Sequence, residues 1–444
     1  MSAIPPGFRA LPLPLAQLSL AAVLKCGQSF RWSVHPVQAA DGSTRTHEYR
    51  LCLRDRVVCL RQSPDILLYR SVFPDSVPIG DMSVREAETL AWIKDYFQLD
   101  IDLIKLYHDW AEKDAVFARV KARFEGIRML RQDPWENLIS FICSSNNNIS
   151  RITKMVKSLC SHYSPPLLSL SPPAIDVDNS LLTPPHNSNH SICPKDVDFE
   201  PYHPFPPPSR LAMADVPAIL RSLGFGYRAD YIHKTAKMLV DAHKSTTSSQ
   251  AGDEAAERWL RTLRKLPTAE AREELLKFMG VGRKVADCVL LMSLDKHEVI
   301  PVDTHVHQIA IKHYGLKGPL KARQTLSLKL YDEINSKFTS VWGEHAGWAH
   351  SVLFTADLKS FSSHGLPTPS PSPQVPFAPR ASESEADHLP TLSQRTKKRK
   401  RAAPSNLVID ATTSVQGDTG DLSDTDTMSL VDRVKGRRRS VKSG

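Results

Sequence analysis

The sequence predicts an α+β protein in which a small antiparallel β-sheet domain precedes a mostly helical domain and a long tail. β-rich segments lie between residues 46 and 73, and helical periodicity begins near Ser83. After Leu358 the composition becomes rich in Pro, Ser, Thr and Asp, which is typical of disorder. The expected boundaries are 1–112 for the β domain with its flanking helices, 113–360 for the helical domain and 361–444 for a disordered basic tail.

Composition narrows the class of protein. The chain has 444 residues, of which 41% are hydrophobic and 24% charged, with a net charge of +9. No apolar run reaches the roughly 18 residues of a membrane span, so we expect no membrane partner. Seven scattered cysteines without a Cys-x-x-Cys pair argue against a zinc ribbon, a disulfide framework or an iron–sulfur cluster.

Three segments with partial apolar alternation predict the sheet of the first domain. They are Tyr49–Leu53, Val57–Arg61 and Ile66–Arg70. Helices are expected from about residue 101 to 160, and Asp133 followed by Pro134 is a helix start, with an N-cap and Pro at the first helical position. Pro-rich residues 161–209 predict a flexible insertion. Helices resume from Leu211, with a small polar insertion at 245–253.

The segment from Lys277 to Ser293 predicts a helical hairpin. Gly280 and Gly282 permit a tight turn, and the free amides of the following helix suit a DNA phosphate. A Gly-x-Gly turn also closes ordinary helical hairpins. Lys284 on the second helix is a candidate Schiff-base nucleophile, or a lysine that contacts phosphate or water. Cys288 lies four residues later on the same face, so the two can share a pocket.

Asp303 closes a short apolar run, and two histidines follow it. A carboxylate beside such a hairpin can stabilise positive charge on a sugar as its glycosidic bond breaks, or can cap the next helix, and both roles are compatible. His305 and His307 could form half of a metal site, but no third ligand is evident, and we expect no metal.

Together these segments resemble the eukaryotic 8-oxoguanine DNA glycosylase/AP lyases of the helix-hairpin-helix, endonuclease III-like superfamily. The resemblance covers roughly residues 11–360. It rests on five blocks in order: Gly27–Trp32, Asp133–Arg151, Gly224–Arg228, the hairpin with Pro301–His305, and Gly347–Asp357. It implies a TBP-like first domain and a helix-hairpin-helix glycosylase domain.

The resemblance also implies roles for single residues. Lys284 is the amine that attacks the sugar, and Asp303 is the carboxylate that stabilises its charge. The carbonyl of Gly27 accepts a hydrogen bond from N7–H of 8-oxoguanine, which guanine lacks. Cys288 and Phe354 sandwich the flipped base. At the position of His350 the family carries Gln, which reads the Watson–Crick edge, and an imidazole offers different geometry.

The remaining implied contacts are to DNA. Asn146, Arg151 and Arg228 hold the orphaned cytosine, and Tyr227 fills the gap in the stack. His305, oriented by Asp357, contacts phosphate or the active site, and Gly280 and Gly282 approach the backbone. Read alone, residues 146–148 could be a helix-capping loop, Tyr227 a half-buried aromatic and Phe354 a core residue. The hairpin also departs from the family, since Phe278 and Met279 replace Leu-Pro.

We therefore expect a bifunctional glycosylase/AP lyase for 8-oxoguanine and formamidopyrimidine opposite cytosine. The alternatives are a related enzyme for another oxidised base and a non-catalytic DNA-binding protein. The expected partner is double-stranded DNA with damaged guanine, bound by a monomer without a cofactor. A structural cation bound at the hairpin is an open alternative. Five basic residues, Lys397–Arg401, predict recognition by the nuclear import machinery and a nuclear location, and a mitochondrial pool is not excluded.

Overall fold

A computed structural model describes residues 4–38, 44–75, 82–173, 199–243, 252–317 and 327–366. The described residues belong to one compact unit, which lies within Met1–Ser370. The basic cluster at 397–401 lies outside the described residues, as do most of the Pro-rich insertion and residues 244–251. Residues 361–366, which the sequence assigns to the tail, pack on the body: Phe361 is buried and the His364 ring stacks on Phe124.

The N-terminal domain contains the predicted antiparallel sheet. Its strands are β1 (Arg9–Pro12), β2 (Ser33–Gln38), β3 (Thr44–Cys52), β4 (Val57–Gln62) and β5 (Ile66–Val72), in the spatial order β1-β5-β4-β3-β2. The three central strands are those that the sequence predicts. Glu48 is fully buried within the sheet and is paired with Arg50 at 2.6 Å and Arg61 at 2.8 Å. A buried carboxylate requires such partners.

The rest of the described chain is mostly helical. Its helices are α1 (Leu20–Val23), α2 (Met82–Tyr96), α3 (Leu103–Lys113), α4 (Ala115–Val120), α5 (Pro134–Ile142), α6 (Ile149–Tyr163), α7 (Pro208–Leu211), α8 (Val216–Ser222), α9 (Arg228–Ala242), α10 (Ala255–Thr262), α11 (Thr268–Leu276), α12 (Arg283–Ser293), α13 (Thr304–Tyr314), α14 (Leu328–Trp342) and α15 (Ala346–Asp357). The predicted α+β class is confirmed. No helix in these described stretches is long and apolar enough to cross a membrane.

Helix α5 lies at the centre of the helical domain. Asp133 caps it, since its side chain accepts from the amides of Trp135 at 3.0 Å and Glu136 at 3.1 Å. Nearly all of α5 is buried, and it packs against α12. The almost entirely buried helix α5 therefore supports the hairpin helix α12.

The flanks of the predicted insertion differ from the sequence expectation. Helix α6 continues to Tyr163, and β6 (Leu168–Leu170) pairs antiparallel with β7 (Glu200–Tyr202). Tyr202 is buried against the N-terminal sheet. The prolines dominate the composition of 161–209, but the alternating Leu-Ser-Leu run is sufficient for a short strand once it has a partner.

Candidate active site

The predicted hairpin is formed by α11, a turn at Gly280 and α12. Gly280 has φ +79°, in the left-handed region, and an added Cβ would overlap the ring of Tyr231 on α9. Gly282 precedes the first residue of α12 and has open space around it. A side chain is thus excluded at Gly280 for two reasons, its backbone conformation and its close packing.

Lys284 lies in the first turn of α12 and is half-buried. Its Nζ is 3.5 Å from Ser144 Oγ and 5.4 Å from the centroid of the Phe141 ring. Both neighbours come from the end of α5 and the loop after it. No sequence pattern marks Phe141 or Ser144 as a neighbour of Lys284, although Ser144 begins a polar run directly after a buried helix.

Cys288 lies one turn beyond Lys284 and is 2% exposed. Burial raises the pKa of its thiol to about 12, although the charge of Lys284 opposes that shift. The side chain is therefore a neutral thiol at pH 7 and presents a polarisable apolar surface. The two side chains lie close enough to interact, which is consistent with their spacing on one helix face.

Asp303 caps α13, since it accepts from the amides of His305 at 2.9 Å and Val306 at 3.1 Å. The same carboxylate also acts on two neighbouring side chains: its charge adds to the burial that raises the pKa of Cys288, and it opposes the burial that lowers the pKa of His350. The two readings of Asp303 from sequence are therefore compatible in the fold.

His350 on α15 is 5% exposed, and neither ring nitrogen has a hydrogen-bond partner within the described part of the chain. Burial lowers the pKa of its imidazole to about 4, so the ring is neutral at pH 7. The rings of Phe338 and Phe354 lie 6.4 Å and 6.1 Å from it. Buried polar atoms are normally satisfied, so these two nitrogens are free to bind a ligand.

Phe354 is half-buried, and its ring also meets His305 edge-on at 5.9 Å. His305 is exposed, and its Nδ1 lies 3.5 Å from Asp357 Oδ2. Lys312 lies 3.6 Å from the other oxygen of Asp357. The carboxylate of Asp357 therefore holds the side chains of His305 and Lys312 next to Phe354.

Gly27 lies on the loop between α1 and β2 with φ +91°. A Cβ at this position would lie 2.9 Å from Ile149 Cδ1, at the start of α6. The next residue is fixed: Gln28 is buried, donates to the carbonyl of Arg128 at 3.1 Å and accepts from the amide of Leu130 at 3.0 Å. The loop backbone is thus held firmly near α6.

A second group of predicted residues meets at the loop between α5 and α6. Arg228 is buried and donates to the carbonyls of Ser145 and, at 3.2 Å, Asn146. The hydroxyl of Tyr227 donates to Ser145 O at 3.1 Å, while the side chain is 48% exposed. The guanidinium of Arg228 lies 4.5 Å from the Tyr227 ring centroid.

The other two members of this group are exposed. Arg151 on α6 reaches the carbonyl of Gly224 at 3.4 Å. Asn146 has φ +47°, and it is Asn148 whose side chain caps α6, at 2.9 Å from Arg151 N. The capping interpretation thus applies to Asn148 and leaves the Asn146 side chain exposed.

A grouping of three metal-ligating side chains within the described ranges is His108, Asp109 and Glu112 on α3. Neither His305 nor His307 belongs to it. Exposed acidic groups of this kind are common without an ion, and this one lies on another helix from the pocket residues.

Comparison with known proteins identifies this arrangement. A family model described as 8-oxoguanine DNA glycosylase, N-terminal domain, matches residues 10–138, and one for HhH-GPD superfamily base excision DNA repair proteins matches residues 139–331. The N-glycosylase/DNA lyase of Saccharomyces cerevisiae is 37% identical over 79% of this chain and 86% of its own length. N-glycosylase/DNA lyase OGG1 of Arabidopsis thaliana is 35% identical over 80% and 81%.

The fold agrees with solved structures. The Clostridium acetobutylicum 8-oxoguanine glycosylase/lyase, in complex with double-stranded DNA containing cytosine opposite 8-oxoG, superposes with a TM-score of 0.55 at 23% identity. The match covers 80% of this chain and 96% of that one. Fold and site thus define a helix-hairpin-helix DNA glycosylase with lyase activity, an enzyme of DNA repair. The chain belongs to the 8-oxoguanine DNA glycosylase/lyase family, which sets aside the non-catalytic alternative.

Proposed function

We propose that this enzyme excises 8-oxoguanine and formamidopyrimidine opposite cytosine and then cleaves the DNA strand by β-elimination. The observation that carries the proposal is the pocket: Lys284, a neutral Cys288 and a buried His350 lie with Asp303 beside the hairpin. Membership of a family whose model is described as 8-oxoguanine DNA glycosylase supports the same substrate.

In the proposed chemistry the Lys284 amine attacks C1′ of the flipped nucleotide and displaces the damaged base. The amine and the sugar then form an imine, and loss of a C2′ proton expels the 3′ phosphate. Asp303 stabilises the positive charge on the sugar through its carboxylate. Side chains alone supply these steps, so the mechanism calls for no cofactor.

Base selection follows from the pocket walls. The carbonyl of Gly27 accepts from N7–H, which 8-oxoguanine has and guanine lacks. Cys288 and Phe354 hold the faces of the ring, and a thiol kept neutral by burial suits that contact better than a thiolate. His350 has one donor and one acceptor for the Watson–Crick edge.

On the opposite strand, Asn146, Arg151 and Arg228 hold the orphaned cytosine while Tyr227 fills the gap in the stack. The polar side chains and the exposed tyrosine around the loop between α5 and α6 support these roles. The helix-hairpin-helix amides at Gly280 and Gly282 and the side chains of His305 and Lys312 hold phosphate. We further propose that the enzyme acts as a monomer in the nucleus, where Lys397–Arg401 is read by the import machinery.

Borohydride trapping on a duplex with one 8-oxoguanine opposite cytosine tests this function. Wild type should form a covalent adduct and Lys284→Gln should not, while both bind the duplex. A matched duplex with guanine opposite cytosine should give no adduct. Absence of an adduct and of base release with wild-type enzyme would refute the proposed substrate, and a panel of other oxidised bases would then identify the lesion.

A further inference from the structure

The hydroxyl of Tyr331 joins two parts of the active site that are distant in sequence. Tyr331 lies on α14 and is 4% exposed. Its hydroxyl accepts a hydrogen bond from the amide of Val302 at 3.0 Å and donates one to Asp287 Oδ2 at 2.6 Å. Sequence analysis assigns no role to Tyr331 or Asp287.

Asp287 belongs to the helix that carries the nucleophile. It lies three residues after Lys284 on α12 and is fully buried. Its other carboxylate oxygen accepts from Arg272 Nε at 2.7 Å. Arg272 comes from α11 and Tyr331 from α14, so the two partners hold α12 from different directions. Rotation or sliding of α12 would break one of these bonds, and Lys284 would move with the helix.

Val302 belongs to the segment that carries the carboxylate, because it immediately precedes Asp303. The same face of α14 holds this segment at a second point. Asn335 accepts from the amide of Ile300 at 3.3 Å and donates to its carbonyl at 3.2 Å. Two side chains one turn apart on α14 thus fix the extended stretch that leads into Asp303.

We propose that Tyr331 is a positioning residue whose hydroxyl sets the distance between Lys284 and Asp303. The role rests on the proposed function of those two residues. A phenol suits it because one oxygen both donates to the carboxylate of Asp287 and accepts from a backbone amide. Phenylalanine would keep the packing but leave Asp287 one donor short and the Val302 amide unpaired. Small displacements of reacting groups are costly in rate.

The test is the single-turnover rate of β-elimination at a preformed abasic site, expressed per active site that borohydride can trap. This reaction needs the lysine and carboxylate but no damaged base, so it does not depend on the identity of the lesion. We expect Tyr331→Phe to lower this rate about tenfold, while the Kd for the abasic duplex is unchanged. Loss of folded protein would lower the trappable fraction and leave the rate per trapped site intact.

Tyr314→Phe is the matched control. Tyr314 is a half-buried phenol that also donates to a carboxylate, Asp114, at 2.5 Å, but it lies at the far end of α13 from Asp303. Its removal should cost a similar amount of stability and leave the rate per trapped site at the wild-type value. Equal rates for Tyr331→Phe and Tyr314→Phe would overturn the proposal.

Two further variants keep the result decisive. If Tyr331→Phe does not fold, Asn335→Ala takes its place, because it loosens the same segment at Ile300. This variant should slow β-elimination and leave Kd unchanged. A wild-type rate would overturn the role of α14. Lys284→Gln should abolish trapping. Adduct formation by Lys284→Gln would refute the proposed nucleophile, and the positioning role of Tyr331 would fail with it. If Lys284→Gln forms no adduct and Tyr331→Phe and Tyr314→Phe react at equal rates, only the positioning role fails.

Discussion

The pocket around Lys284 and the loop between α5 and α6 differ in how their polar atoms are satisfied. In the pocket, both ring nitrogens of the buried His350 lack partners within the described residues. At the loop, Arg228 already donates to three backbone carbonyls and Tyr227 to one. The imidazole of His350 can therefore gain hydrogen bonds from a ligand, whereas the terminal nitrogens of Arg228 and the hydroxyl of Tyr227 must exchange internal hydrogen bonds for bonds to DNA.

This difference indicates where each side obtains its selectivity. A site with buried, unpaired polar groups selects against the wrong base, because that base leaves these groups without hydrogen bonds. Groups that are already hydrogen-bonded within the protein contribute less to DNA binding. Their contribution is only the difference in free energy between the internal bonds and the bonds to DNA. Changes in the pocket should consequently have larger effects on rate than changes at the loop.

The largest effect is expected for Asp303→Asn. Asn caps a helix about as well as Asp, so the free energy of unfolding should change by no more than about 0.5 kcal/mol. The variant lacks the negative charge that we propose stabilises the sugar cation, so excision should slow by about 10²-fold or more. Single-turnover excision and urea unfolding measure the two quantities. A near-wild-type excision rate would leave the carboxylate with the capping role alone.

Arg228→Ala should have a smaller effect that depends on the opposite base. Loss of one cytosine contact should slow excision opposite cytosine about tenfold and reduce the preference for cytosine over adenine. The control is Arg221→Ala, which should leave the preference unchanged. Arg221 is an exposed arginine on α8 that pairs with Asp230 at 2.7 Å. An unaltered preference in Arg228→Ala would assign this arginine to loop structure only.

His350→Gln should change how stability depends on pH. Burial holds the pKa of His350 at about 4, whereas the unfolded imidazole titrates near 6.5. As pH falls from 6.5 to 4 the unfolded chain binds a proton that the native chain does not, so up to about 3 kcal/mol of stability is lost through this group. The variant should lose less stability than wild type between pH 7 and pH 4.5 in urea unfolding.

A histidine outside the pocket provides the control for that experiment. Burial also lowers the pKa of His297 to about 4, so His297→Gln should show the same gain in acid stability. Only the change at His350 should alter excision at pH 7, since only that ring lies beside Asp303. Identical pH dependence of unfolding in His350→Gln and wild type would contradict the buried neutral imidazole.

The smallest effect on excision is expected from truncation after residue 366. It should leave the excision rate within about twofold of wild type. If Lys397–Arg401 directs import, the truncation should also prevent nuclear accumulation of a tagged enzyme. Truncation after residue 360 should in addition lower the melting temperature, because it removes the buried Phe361 and the carbonyls that Arg123 binds. Unchanged localisation would refute the import signal.

Local patterns were sufficient for part of this molecule. The central strands, the capped start of α5 and the Lys284–Cys288 pair all follow from spacing within a few residues. The edge strands were missed because β1 ends in Pro12 and β2 contains Pro36, which a strand tolerates only where an amide is not needed for pairing. Contacts such as Lys284 with Ser144 depend on tertiary packing across 140 positions.

Gly27 and Ile149 link the two regions that this comparison separates. Gly27, to which we assign recognition of N7–H, packs on Ile149, the first residue of the helix after the loop to which we assign the orphaned cytosine. If both proposed roles hold, displacement of that helix start by a bound cytosine also displaces Gly27. Thermodynamic linkage is reciprocal, so a lesion that favours one position of Gly27 must strengthen cytosine binding by the same factor.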